Sequence, residues 1–378
     1  MPRMLQTPSQ LPTVNSESPP LSPPAATPAT RPAMLSAARL SGMGAGVVWP
    51  LAALALLLLA NGLFNPGFLA LHIRNGHVYG NLVDIANRAA PLALVAMGMT
   101  LVIAVRGLDI SVGAVLAISA TVAAWTIAHV QAGSEEQGLL PLFAAIAAAL
   151  GVAAACGLWN GLLVVVAGMQ PIVATLILMV AGRGLAQLIS DGQILTIYYA
   201  PYAFLGTGFL LGVPFAVCVV AVVFLGLKLL LDRTALGLFV RAIGDNPAAA
   251  HMAGVRARAI IPALYIFCGL SAGMAGLLVS SNVASADANN AGQLLELDAI
   301  LAVTLGGSRL AGGSFSLGGS LVGALIIQTL TTTIYSIGLP PQVNLVAKAL
   351  LVVIVLLLQA PRFRSQLRGL MRWRENPA

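Results

Sequence analysis

Long apolar runs separated by short polar breaks are the feature that most limits how this chain can fold. A helix of about 20 residues crosses a bilayer whose hydrocarbon core is ~30 Å thick. The runs lack the strict alternation of a membrane β-barrel, whose strands place every second residue toward lipid. The sequence therefore predicts an all-α integral membrane fold of about ten transmembrane helices, with spans near 47–64, 89–105, 110–128, 139–167, 171–189, 209–231, 260–281, 293–307, 317–336 and 343–360.

Composition supports this class, because 58% of the 378 residues are hydrophobic and only 8% are charged. The first residues differ, since nine prolines fall within residues 1–32 among Ser, Thr and Ala. Such a segment cannot build an apolar core. We therefore predict a disordered Pro-rich cytoplasmic tail (1–45), one transmembrane domain (46–360) and a basic cytoplasmic tail (361–378).

Charged residues predict the orientation of the spans. With the amino end inside, 15 of the 19 Lys and Arg residues fall on predicted inner segments, as expected from the excess of basic residues in cytoplasmic loops. Both termini are thus predicted to be cytoplasmic. Arg74 and Arg88 do not fit, because they lie between the first two spans, on the nominally outer side. The loop between these spans is therefore either a contact surface, or the predicted ends of the spans are wrong there. The predicted outer loops otherwise carry Glu135, Glu136, Asp191 and Asp287.

The sequence excludes several chemistries. A phosphate-binding loop ends in Gly-Lys-Ser/Thr, but neither of the two lysines, Lys228 and Lys348, follows Gly. The three cysteines lie singly in apolar runs, and no two histidines have the spacing of a helical zinc site. No catalytic residue, metal or cofactor is predicted. The net charge of +7 comes from Arg residues that flank spans, so we predict no nucleic-acid partner.

The polar loop 232–259 predicts a short helix between two spans. Asn246 is a good N-cap, Pro247 suits the first helical position, and Gly254 suits the residue just past the helix end. A helix of about two turns is marginal by itself in water. Two interpretations remain open from the residues alone: a stiff connecting loop, or a docking helix for a cytoplasmic subunit.

This loop resembles the coupling loop of the permease subunits of bacterial ABC importers for simple sugars, and we call it the coupling loop. Similar segments also run from Asn87 to Val115, from Gln170 to Gly184 and from Ala286 to Gly307. The last two of these segments look most like galactofuranose permeases within the ribose-type branch. The family pattern Ala-x-Gly-x-Asn-x-x-Ala-Ala-x-x-x-Gly is matched by Ala242, Gly244, Asn246, Ala249, Ala250 and Gly254.

The resemblance implies a type II ABC importer permease fold in a bacterial inner membrane. It implies a non-catalytic subunit that translocates a simple sugar of the ribose or galactofuranose type. The implied partners are two ATP-binding cassette ATPase subunits or one tandem ATPase, a second permease copy or paralogue, a periplasmic sugar-binding protein and membrane lipid. The residues that couple to the ATPase would be Ala242, Gly244, Asn246, Pro247, Ala249, Ala250 and Gly254.

Polar residues in or beside spans are candidates for a substrate path. Asp109 precedes an apolar run, so it either caps the next helix with help from Ser111 or lines the path. Asn160 either bridges helices or lines the path. Arg183 either meets a polar cavity or an acidic partner, or extends toward the membrane interface. The densest polar cluster beside a span, with amides and carboxylates suited to sugar hydroxyls, is Asn289, Asn290, Glu296 and Asp298.

One residue departs from the family pattern. Where the family has Gly-Gly before Ile-Asp, this chain has Arg106, Gly107, Leu108 and Asp109. An Arg at membrane depth is costly unless it is paired or wetted. Arg106 is therefore predicted either to pair with Asp109 or to lie at the cytoplasmic surface.

An ion-coupled secondary transporter of a small polar solute is the alternative function. It would need a buried acid as proton carrier, and Asp109 and Asp298 are the candidates. The predicted short helix of the coupling loop argues against it, because such a transporter needs no cytoplasmic docking element.

Overall fold

The computed structural model describes residues 38–64, 67–74, 76–132, 138–338 and 340–359. These residues form thirteen helices and six short strands. The helices are α1 (Ala38–Phe64), α2 (Asn81–Ala104), α3 (Val112–Ala132), α4 (Leu140–Val165), α5 (Pro171–Ile189), α6 (Ala200–Thr207), α7 (Phe215–Arg233), α8 (Leu236–Asp245), α9 (Pro247–Met252), α10 (Ala257–Val283), α11 (Leu295–Leu305), α12 (Leu317–Ser336) and α13 (Pro341–Gln359). The strands are β1 (His72–Arg74), β2 (His77–Tyr79), β3 (Leu195–Thr196), β4 (Phe209–Leu210), β5 (Val213–Pro214) and β6 (Ser285–Ala286).

The all-α membrane class is confirmed. Among the described residues, seven helices are long and apolar enough to cross a bilayer: α2, α3, α4, α5, α7, α10 and α12. The first and last predicted spans coincide with α1 and α13. The strands form only three antiparallel pairs, β1 with β2, β3 with β6, and β4 with β5.

The span predicted at 293–307 is only partly helical. α11 has 11 residues, which give a length of about 16 Å at 1.5 Å per residue, roughly half of the hydrocarbon core. The residues before it form turns, because Gly292 and Leu294 have φ of 68° and 62°. A left-handed backbone cannot continue a right-handed helix. α11 is therefore a half-length helix that follows a turn.

Several predicted boundaries move. α1 begins at Ala38, so the last residues of the predicted disordered tail are helical; residues 1–37, residues 360–378, Glu135 and Glu136 lie outside the described residues. α2 begins at Asn81, eight residues before the predicted span, which places Arg88 inside a helix. The boundary was wrong there because the polar first turn lowers the local hydropathy.

The core forms around α2 and α10. Every residue of α2 from Leu92 to Ala104 is buried, as expected for a helix that is apolar all round. α10 packs against α2, α3 and α4. Glycines permit the close approach of α4 and α10, because a Cβ at Gly157 would clash with the carbonyl oxygen of Tyr265. Small residues at such crossings are typical of membrane helix packing.

Candidate functional site

The coupling loop folds as α8 and α9, joined at Asn246. Asn246 Oδ1 accepts hydrogen bonds from the N–H groups of Ala248 and Ala249, each at 3.1 Å. Pro247 occupies the first turn of α9, and Gly254 has a φ of 83° just past its end. The prediction of a short, capped helix between two spans is confirmed. Its role in docking a partner stays a prediction.

The two alanines at the centre of α9 have different surroundings. Ala249 is exposed together with Pro247 and His251, and Met252 exposes 88% of its surface. Ala250 is 4% exposed and belongs to the apolar core. One face of α9 is thus available to a partner, whereas Ala250 anchors the helix to the rest of the chain.

Gly244 lies where α8 touches the break between α2 and α3. A Cβ at Gly244 would clash with the carbonyl oxygen of Ala104 and with the backbone of Gly313. The N–H of Gly313 donates to the same Ala104 oxygen at 2.9 Å. Ala242, also on α8, is half-buried against the core. Two of the predicted coupling residues therefore hold α8 against the membrane domain.

Arg106 lies in this break and does not pair with Asp109. Its Nε donates to the carbonyl oxygen of Gly244 and its Nη2 to that of Asp245, each at 2.6 Å. The predicted pairing of Arg106 with Asp109 is therefore wrong, because the carbonyl groups at the end of α8 satisfy the guanidinium instead. The alternative position at the cytoplasmic surface stays a prediction.

Asp109, Ser111 and Asn160 form one buried cluster, each with at most 1% of its surface exposed. Asp109 Oδ1 accepts from Ser111 N at 3.0 Å, from Ser111 Oγ at 2.6 Å and from Asn160 Nδ2 at 3.3 Å. Asn160 Nδ2 also donates to Ser111 Oγ at 2.8 Å. These hydrogen bonds support the interpretation that Asp109 caps α3, because they lie just before Val112, the first residue of that helix. The bond from Asn160 also links the beginning of α3 to α4.

The residues before α11 form a polar turn around Asp287. Asp287 Oδ1 accepts from the N–H groups of Asn289 and Asn290 at 2.9 and 3.1 Å, and Oδ2 accepts from Asn290 Nδ2 at 2.8 Å. The hydrogen bond from the Asn290 side chain, aided by the two backbone donors, lowers the pKa of Asp287 below its ordinary value. The two predicted asparagines are exposed and remain able to bind a solute.

Helix α5 fixes this turn through Arg183 and Gln187. Arg183 Nη1 donates to the carbonyl oxygens of Ala288 and Ala291 at 3.1 and 2.6 Å. Gln187 Nε2 donates to Asn289 Oδ1 at 2.7 Å. Arg183 thus binds protein carbonyl groups rather than extending freely to the interface. The sequence signal for this pair is the spacing of four residues, which places both polar side chains on one helix face.

The predicted cluster of Asn289, Asn290, Glu296 and Asp298 divides into three environments. Glu296 is 6% exposed and its carboxylate lies against Gly113 of α3. Asp298 Oδ2 forms an ion pair with Lys348 Nζ of α13 at 2.5 Å. A cavity of about 560 Å³ lies between α11 and α13, and its polar lining includes Gln293, Asp298, Thr304, Asn344 and Lys348. Lys348 and Asn344 were not predicted as path residues, because a single Lys or Asn in an apolar run does not indicate which helix it faces.

A family described as "Branched-chain amino acid transport system / permease component" matches residues 81–356, from the start of α2 into α13. The chain belongs to this permease family. The matched range contains the coupling loop, the Asp109 cluster and the polar turn before α11.

Similar known proteins include sugar permeases. The permease is 48% identical over 327 residues to the galactofuranose transporter permease protein YtfT of Escherichia coli (strain K12), which covers 85% of this chain and 93% of that protein. It is 34% identical to the fructose import permease protein FruF of Bifidobacterium longum (strain NCC 2705), over 88% of this chain and 92% of that protein. It is also 34% identical to the ribose import permease protein RbsC of Escherichia coli (strain K12), over 81% of this chain and 91% of that protein. No solved structure matches the chain.

These similarities identify the chain as a membrane permease subunit of an ABC sugar importer. Permeases of this kind transport a solute and leave ATP hydrolysis to partner subunits, so the chain is not an enzyme. ATPase and binding-protein partners follow from the family, as does a multi-pass position in the inner membrane. The secondary-transporter alternative receives no support.

Proposed function

We propose that this permease imports a monosaccharide in its five-membered ring form, with galactofuranose as the first substrate to test. The proposal is supported by the 48% identity to a galactofuranose transporter permease, above the 34% to the fructose and ribose permeases. All three are named for neutral sugars that adopt furanose rings. The exposed asparagines before α11 suit such a solute, because amides both donate to and accept from hydroxyl groups.

The substrate path is proposed to run from the polar turn around Asp287 toward the Asp109 cluster. The exposed Asn289 and Asn290 would contact the sugar first. Ser111 and Asn160 are buried here, so they would meet the sugar only after α3 and α4 separate.

The observation that carries the mechanism is the capped helix α9. Asn246 fixes a helix whose exposed face includes Ala249, and we propose that this face enters a groove of an ATPase subunit. ATP-driven closure of two ATPase subunits, or of one tandem ATPase, would then move α8 and α9. The second half of the pore would come from another copy of this chain or a paralogue.

Both termini are proposed to be cytoplasmic. This orientation places the coupling loop on the side where ATP is available, and the polar turn before α11 on the side of the periplasmic binding protein. It agrees with the excess of basic residues in the predicted inner segments.

Uptake by proteoliposomes that contain the permease, its ATPase and its binding protein tests the proposed substrate. Labelled galactofuranose should be accumulated with ATP inside, and unlabelled galactofuranose should compete better than ribose or fructose. A branched-chain amino acid should not compete, although the family description names that class. Equal or better competition by ribose, fructose or leucine would overturn the assignment of the sugar without changing the fold.

A further inference from the structure

The break between α2 and α3 connects two parts of the chain that the proposed mechanism must link. We propose that Arg106 is a positioning residue that transmits displacement of α8 and α9 to this break and so to Asp109. The proposal rests on the proposed docking of an ATPase at α9, and it adds the route by which that docking reaches the membrane helices.

One end of the link is the guanidinium of Arg106. It donates to the carbonyl oxygens of Gly244 and Asp245, both at 2.6 Å. These are the last two carbonyl groups of α8, which have no partner within their own helix and carry the negative end of the helix dipole. A planar cation with several donors is well suited to this position. Arg106 therefore holds α8 by its end, immediately before Asn246 and α9.

The other end of the link is the buried cluster three residues further on. Asp109 binds Ser111 at the start of α3 and Asn160 of α4, and all three are buried. The N–H of Arg106 donates to Ile103 O at 2.9 Å, which ties the break to α2 as well. The short segment from Arg106 to Asp109 thus joins α8 to three membrane helices.

The backbone of Arg106 has an unusual conformation for a residue with a side chain. Arg106 has a φ of 64°, in the left-handed region that favours Gly and is unfavourable for a residue with a Cβ. A Cβ at Gly312 would clash with Arg106 Cγ, so the first part of the side chain lies directly against Gly312. The strained backbone of an exposed Arg is explained by the hydrogen bonds that its guanidinium donates to α8.

Three variants separate the parts of this link. Arg106→Gly keeps the positive φ without strain and removes both hydrogen bonds. Arg106→Gln removes the charge, and Arg106→Lys keeps the charge but loses the planar fork. Arg309→Gln is the matched control, because Arg309 is an exposed Arg in a neighbouring loop.

The experiment is amide hydrogen exchange in the complete complex with its ATPase, with and without a non-hydrolysable ATP analogue. In the wild type, the analogue should change exchange both in residues 246–254 and in residues 105–111. In Arg106→Gly the change in 246–254 should persist, whereas the change in 105–111 should be lost. The number of sugars transported per ATP should fall at least about fivefold, the lower end of typical coupling between sites. Arg106→Lys should recover part of both signals, and Arg309→Gln should match the wild type.

Three results would overturn the proposal in distinguishable ways. If Arg106→Gly and Arg106→Gln keep the nucleotide-dependent change in 105–111, the link does not run through this side chain. If uptake and ATP hydrolysis fall together in proportion to the folded fraction, Arg106 only stabilises the fold. If the wild-type complex shows no nucleotide-dependent change in 246–254, the proposed docking at α9 fails and the route through Arg106 fails with it.

Discussion

Replacing Asn246 with Ala tests whether the cap holds α9 in its helical form. The side-chain oxygen accepts two backbone hydrogen bonds, at 3.1 Å to Ala248 N and 3.1 Å to Ala249 N. Losing such a cap costs about 0.5–2 kcal/mol. α9 has only six residues and cannot persist alone, so this cost acts directly on its stability. Since 1.4 kcal/mol is a factor of ten, the frayed population should rise about twofold to thirtyfold.

The matched controls are Asn246→Asp and Asn246→Ser, because both keep a side-chain oxygen that can cap the helix. The assay is amide exchange of the permease in detergent, read at Ala253, whose N–H donates to Ala249 O at 3.0 Å. Exchange should accelerate by the stated factor in the Ala variant and change little in the Asp and Ser variants. The apparent affinity for the ATPase should weaken in proportion to the loss of the folded α9 population, and so by at most this factor.

Equal exchange at Ala253 in all three variants would refute this reasoning. It would mean that the buried side chain of Ala250, 4% exposed, holds α9 in place without the cap. Docking would then depend on core packing rather than on local capping.

Three further predictions concern other parts of the chain. Asp298→Asn should lower the free energy of unfolding by about 1–3 kcal/mol, because Lys348 loses its charged partner in a pair whose side chains are only 17% and 19% exposed. Adding Lys348→Gln in a thermal double-mutant cycle should cost less than the sum of the single changes. Acidification should reduce the protection of the Asn289 and Asn290 amides relative to unstructured amides, because the lowered pKa of Asp287 means that its stabilising contribution is present at neutral pH and is lost as pH falls below about 3.9; unchanged protection would contradict this. Removing residues 1–37 should leave membrane expression and uptake nearly intact, because a Pro-rich tail has no apolar face to bury; a large fall in expression would contradict it.

Features set by neighbouring residues could be predicted from the sequence. The cap of α9 involves Asn246 and residues two and three positions further on, so residue type and spacing were sufficient. The apolar spans were similarly visible because each depends on about 20 consecutive residues. The short length of α11 could not be predicted in this way, because hydropathy does not report the left-handed backbone at Gly292 and Leu294.

Contacts between distant residues could not be predicted from one sequence. Lys348 pairs with Asp298 across 50 positions, and Arg183 binds Ala291 O across 108. Arg106 illustrates the same difficulty, because local spacing indicated Asp109 as its partner. Its actual partners are carbonyl groups 138 and 139 positions away, and backbone carbonyl groups leave no signal in residue type.

ATP-dependent sugar uptake by an Ala249→Arg variant tests the central claim most directly. Ala249 is exposed on α9, so the larger cation should leave the fold intact while blocking entry into a groove of the ATPase. Ala235→Arg is the matched control, since Ala235 is exposed in the same loop but outside α9. With ion gradients collapsed by ionophores, the wild type and Ala235→Arg should accumulate sugar only with ATP, and Ala249→Arg should accumulate almost none despite normal membrane insertion. Equal uptake by both Arg variants, or wild-type uptake that follows an ion gradient without ATP, would contradict the account.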